Sequence, residues 1–163
     1  MSRFLVLVVF LVLVVGIGLG LGYLYPAGEW YAALEKPAFS PPDILFAYVW
    51  PVLYVLIAIA GWRVFVHDIG GGAWGLWLLN LVLNYLYTPV FFGWNLLGWS
   101  AALTFATLFT AIAFVSATWH RDRFAAAIYI PYVLWLGYAF TLAITLWWLN
   151  DPGGTVTTVP ITN

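Results

Sequence analysis

Asn80 and Asn84 stand four residues apart inside residues 69–119, a stretch with no charged residue and no histidine. On a helix that spacing puts both amides on one face, and Tyr87 and Phe91 continue it. A side-chain amide in hydrocarbon must find a hydrogen-bond partner. Two arrangements meet that need. The amides bond to neighbouring helices and hold a bundle together, or with the two rings they form an inward stripe facing a flat ligand. Trp50 and Tyr54 repeat the i, i+4 relation in residues 44–62. Trp135, Tyr138, Ala139 and Leu142 share a face in residues 124–149, with Tyr132 one turn earlier. Three apolar segments therefore each carry an aromatic stripe. Such stripes can stack on a hydrophobic molecule and orient its polar edge.

Other chemistries find little support. His67 and His120 both fall at the ends of apolar segments, and neither has a second histidine or a carboxylate at i+4 on a helix, so a helix-borne metal site is not expected. The chain has no cysteine, which excludes disulfides and thiolate chemistry. Its net charge is −1, so nucleic acid is not an expected partner. No phosphate-cradling loop or nucleophile motif appears. No charge lies deep in an apolar segment, which argues against an ion-coupled pump.

The elements that position these residues are membrane spans. Only 7% of the 163 residues are charged, against roughly 25% in a soluble domain, too few to build a water-facing surface. About 20 apolar residues cross the hydrocarbon as a helix. The pattern predicts an all-α integral membrane protein: one five-helix domain over residues 1–150, with spans near 4–24, 44–66, 72–92, 97–119 and 124–149. The uncharged run 69–119 is divided at FFGWNLLG (91–98), where Gly93, Asn95 and Gly98 are turn-formers. The segment 4–24 is too long for a signal-peptide core and is expected to remain as a helix. Residues 151–163 form a short polar tail.

Arg3, Arg63, Arg121 and Arg123 fall at one end of this bundle and Lys36 at the other. The positive-inside rule then puts the N-terminus inside and the first loop and C-terminus outside, in a prokaryotic cell membrane. Pro51, Pro89 and Pro131 lie inside three spans, each removing a backbone donor. They are either tolerated kinks or the means of splaying the bundle into a pocket. Gly16, Gly18, Gly20 and Gly22 give overlapping GxxxG spacings, which favour close packing inside the bundle over a dimer seam.

Residues 30–43, WYAALEKPAFSPPD, are a polar, proline-rich interruption far longer than a helix hairpin needs. Pro37, Pro41 and Pro42 restrict the backbone. WYAALEK is expected to form a short helix over the mouth of the bundle. Together with VWPVLY (49–54), LVLNYLYTPVFFG (81–93) and IPYVLW (130–135), this stretch makes the chain resemble the TspO/MBR family over residues 5–150.

That resemblance implies five helices around a ligand pocket capped by the first loop. It implies tetrapyrrole binding, protoporphyrin IX or haem, with sterols and benzodiazepine-type compounds as further ligands. No cofactor is required, and a homodimer is implied. Carried over by position, the pocket residues are Trp50, Tyr54, Asn84, Tyr87, Phe91, Trp135, Tyr138 and Ala139. The lid residues are Trp30, Tyr31, Lys36, Pro37, Pro41 and Pro42. The resemblance further implies Trp50 and Trp135 in light-dependent porphyrin breakdown, a rival to a receptor role, as is passive transport of tetrapyrroles or lipids. The chain departs from the family at Tyr87 and Phe39, where tryptophan is usual, and at Asn80, where glutamine is frequent. Phe140 and Ala143 replace a threonine and an asparagine, which weighs most against a sterol site.

Overall fold

The computed structural model describes residues 2–67 and 71–151. Its elements are α1 (Arg3–Leu24), α2 (Glu29–Ala33), α3 (Asp43–His67), α4 (Gly72–Thr88), α5 (Leu97–Thr118) and α6 (Arg123–Asn150). A π-helical turn, Pro89–Gly93, continues α4. Among the described residues, five helices are long and apolar enough to cross a membrane, α4 being counted with its π turn. Beyond Asp151, the expected polar tail lies outside the described residues.

The π turn starts at a proline. Pro89 has no N–H to donate to the carbonyl four residues back, so the α ladder is interrupted there. The Trp94 N–H instead reaches the Pro89 carbonyl at 2.9 Å, five residues back. Asn95 then adopts φ 57°, a left-handed conformation that asparagine tolerates. Gly98, expected in the turn, lies inside α5. Its missing side chain leaves room for the Trp147 indole, whose Nε1 is 3.2 Å from where a Cβ would stand.

The helices pack as a ring, α1 on α3, α3 on α6, α6 on α5 and α5 on α4, with α4 also touching α3 and α1. Asn80 rivets three of them. It is fully buried, and its Nδ2 donates to the Thr107 carbonyl at 2.7 Å and to Thr110 Oγ1 at 2.9 Å on α5. Its Oδ1 accepts from the Tyr129 hydroxyl of α6 at 2.8 Å. Asn80 is thus structural rather than part of a ligand stripe. Trp77 Nε1 ties α4 to the Ile57 carbonyl of α3, and the Tyr85 hydroxyl ties it to the Val14 carbonyl of α1. Two glycines permit close approach: the Tyr54 ring occupies the space of a Gly18 side chain, and the Trp77 indole that of Gly61. Gly18 therefore packs inside the bundle, whereas a Cβ at Gly16, Gly20 or Gly22 would meet no atom within 4 Å.

At the end holding the arginines, Trp62 Nε1 donates to the Arg3 carbonyl at 3.1 Å, and Arg63 Nε pairs with Asp122 Oδ2 at 2.7 Å. Asp122 Oδ1 caps α6 by accepting from the Ala125 N–H at 3.0 Å. Burial alone would raise the Asp122 pKa. The bonds from Arg63 and Ala125 and the charges of Arg63 and His67 outweigh it and hold the carboxyl below its ordinary value.

Two outcomes follow from these contacts. Replacing Asn80 by Leu strands the buried Tyr129 hydroxyl, and unfolding in detergent should be about 2 kcal/mol easier. A carboxyl with a lowered folded-state pKa stabilises the fold above its unfolded-state pKa, and that contribution disappears as pH falls through the folded value. Asp122→Ala should therefore cost about 1 kcal/mol at pH 7, a difference that melting curves should show disappearing in strong acid. Equal losses at both pH values would contradict the ion-pair account.

Candidate functional site

A cavity of about 460 Å³ opens between the helices at the end covered by α2. Each helix presents to it what its own sequence pattern puts on the inward face. From α3 come Phe46, Trp50 and Tyr54, with the Trp50 and Tyr54 rings 5.3 Å apart. Asn84 and Tyr87 come from α4, and the π turn adds Phe91 and Phe92, both on the wall although adjacent in sequence. Tyr87 stacks on Phe91 at 5.3 Å with planes 11° apart, so the ring that replaces the expected tryptophan keeps a flat aromatic face there. On α6, Trp135 and Ala139 line the cavity, with Phe46 edge-on to Trp135 at 5.7 Å.

Polar atoms are few and well separated. Asn84 Nδ2 bonds to the Tyr132 hydroxyl at 2.9 Å, while its Oδ1 is buried without a protein partner. Thus Asn84 both braces α6 and turns one end of its amide to the cavity wall. Trp135 Nε1 is likewise buried and unpaired. Unpaired buried polar atoms are costly. Asp43 stands exposed at the rim and is the charged side chain on the wall among the described residues.

Tyr138 needs correction. It does not line the cavity; its hydroxyl donates to the Phe39 carbonyl at 3.0 Å and its ring meets Phe39 edge-on at 6.5 Å. One position before Ala139, it points to the loop and braces it. Phe140 and Ala143, where the family pattern is lost, also lie off the wall: Phe140 packs on Phe105, and Ala143 is buried between helices. The wall includes residues that sequence reasoning missed. Gly18, Leu19, Gly22 and Tyr25 come from α1 and the link after it, and Thr104 and Thr107 from α5. The α5 threonines carried a signal, since their spacing of three, repeated at Thr110, puts polar groups on one helix face.

The loop above the cavity is built and fastened. Its helix, Glu29–Ala33, is shorter than the expected WYAALEK. Leu34 turns to ψ 139°, and Pro37 disfavours the α conformation at Lys36. Of the expected lid residues, Tyr31 reaches the cavity wall. Its hydroxyl lies 3.4 Å from Asp43 Oδ1, and burial, then the Asp43 charge, pushes its pKa up to about 12. Lys36 Nζ sits 4.1 Å over the Tyr31 ring. Trp30 meets Phe91 edge-on at 5.6 Å. The prolines shape the loop without lining the cavity: the Pro37 and Pro42 carbonyls accept from Ser40 and Leu45, and Pro41 precedes the second of these turns. The strongest clasp lies further along. Glu35 N–H donates to Asn150 Oδ1 at 2.9 Å, and Asn150 Nδ2 returns a bond to the Glu35 carbonyl at 3.0 Å.

The sequence profile of the TspO/MBR family matches residues 8–149. The chain belongs to the TspO/MBR family. Among curated TspO/MBR relatives, Protein CrtK of Rhodobacter capsulatus is 30% identical over 134 residues, covering 80% of this chain and 83% of the relative. The tryptophan-rich sensory protein of Cereibacter sphaeroides is 33% identical over 107 residues, 66% of this chain and 68% of the relative. The human translocator protein is 31% identical over 125 residues, 72% and 73% of the two chains. In this TspO/MBR member the family motifs converge on one cavity and its cover.

Asn150→Ala removes both bonds of the clasp. Each is worth about 1 kcal/mol, so hydrogen exchange at the Glu35 N–H should rise at least tenfold while amides in α3 and α5 keep their protection.

Proposed function

We propose that this protein is a membrane receptor or binding protein for a porphyrin-like tetrapyrrole. The observation that carries the reading is the cavity itself: aromatic faces from three helices around about 460 Å³, with the wall charge confined to the rim. That volume lies within the range of small-molecule sites. A conjugated macrocycle offers flat faces to Trp50, Tyr87 and Trp135, and each aromatic contact adds ~0.5–1.5 kcal/mol beyond burial. Polar groups on its edge meet Asn84 and Trp135 Nε1, and acidic substituents stay near the rim within reach of Lys36. No histidine lies on the wall, so a metal-free porphyrin is held as readily as haem. The names of the relatives, tryptophan-rich sensory protein and translocator protein, fit a protein that binds a small molecule within the membrane. With the arginine end cytoplasmic by the positive-inside rule, the covered end of the cavity faces outward.

Titrating the purified protein with protoporphyrin IX should quench tryptophan fluorescence saturably. In the Trp50→Ala, Trp135→Ala double variant the dissociation constant should rise at least tenfold, from two lost aromatic contacts and their burial. An unchanged dissociation constant in a folded double variant would exclude this cavity as the site.

A further inference from the structure

We propose that the cavity exchanges its ligand sideways with the bilayer, through a gap between the α2-side ends of α1 and α3, and not by lifting of the loop. This rests on reading the cavity as a site for a hydrophobic molecule, and it specifies the class: a ligand already dissolved in the membrane.

The exposed residues of the cavity wall are Leu19, Gly22, Ala27, Asp43 and Ala47. All five lie on α1, on the link after it, or in the first turns of α3. The wall residues of α4, its π turn, α5 and α6 are buried or half-buried. The opening is therefore on one side.

The attachment of α1 accounts for it. The helix is held through Arg3, Phe10, Val14 and Gly18, by the Trp62 bond, the packing of Phe10 on Phe65, Trp74 and Trp77, the Tyr85 bond and the Tyr54 contact, and Tyr25 after it packs against Gly93. Val14 and Gly18 are its buried residues, so none is buried from Leu19 to Leu24. At Gly22, on the same face as Gly18 one turn on, a Cβ would meet no atom within 4 Å. On α3, the small Ala47 forms part of the same rim.

What flanks the gap is apolar. Tyr23 and Leu24 of α1 and Ile44 and Tyr48 of α3 are all at least 60% exposed. Gly22 and Ala47 both lie inside helices that span the membrane. A gap flanked by exposed apolar side chains on two such helices suits contact with lipid better than with water. The loop, by contrast, is fastened to α6 by the Asn150 clasp and the Tyr138 bond, and to α3 through Tyr31 and Asp43. Moving it breaks several hydrogen bonds, whereas passage beside Gly22 breaks none.

The test uses the full chain in phosphatidylcholine vesicles with protoporphyrin IX carried in the lipid, followed by stopped-flow tryptophan quenching. Gly22→Phe sets a ring in the gap where no atom stands. It should slow association and dissociation together by at least tenfold. Ala47→Phe, from the opposite rim, should do the same. Gly20→Phe, on the far face of α1 and also free of neighbours within 4 Å, should keep wild-type rates. Wild-type exchange in both rim variants overturns the proposal. So does a raised dissociation constant with unchanged association, which would make residue 22 only a part of the binding wall. Faster exchange in Asn150→Ala, with the rim variants unaffected, would assign the route to the loop. Absence of saturable quenching in the wild-type protein would instead remove the binding reading, and this route with it.

Discussion

A side-chain amide buried among membrane helices has to be bonded within the protein, and Asn80 meets that requirement by joining α4, α5 and α6 at one point. Apolar side chains alone discriminate poorly between neighbours in lipid, because hydrocarbon solvates them as well as another helix does. Directional bonds supply the register. The Asn80 cluster sets the depth of α4 against α5 and α6, and this places Asn84, one turn on, opposite Tyr132. Without that alignment the aromatic faces of α4 and α6 would not confront each other across one space.

The cavity is what remains when the ring of helices is pinned at one end and spread at the other. Pinning comes from the Arg63–Asp122 pair, the Trp62 bond and the Trp77 contact at Gly61. Spreading is accompanied by the π turn at Pro89, after which the chain presents two consecutive phenylalanines to the same wall. π turns occur often at functional sites because they re-aim side chains without ending a helix. Asn84 Oδ1 and Trp135 Nε1 are buried and unpaired, as are Thr118 Oγ1 and Asp151 Oδ1 outside the cavity wall.

Much of this was legible in the sequence. Charged residues at segment ends marked the spans, and helical spacing put Trp50 with Tyr54 (i, i+4) and Asn84 with Tyr87 (i, i+3) on inward faces. The two asparagines could not be told apart that way, since the same face carried both. Only the partners across the interface make Asn80 structural and turn Asn84 to the cavity. Tyr138 was misplaced for a related reason. Helical periodicity fixes a direction to within a residue or so, and its hydroxyl is long enough to reach the loop instead. The part played by α1 was hidden because glycines have no side chain to pattern: Gly18 and Gly22 share a face, yet one is filled by Tyr54 and the other is open.

The clasp between Glu35 and Asn150 joins positions 115 residues apart. Asn150 is the last residue of the last helix, and chains are synthesised and folded from the N-terminus. The cover is therefore made early and secured late. Until the ribosome has delivered α6, the loop lacks its main anchor and the cavity lacks the wall of Trp135 and Ala139. A chain that stops before α6 lacks both the clasp and that wall of the cavity, so the cavity is completed only by the last span of the described residues.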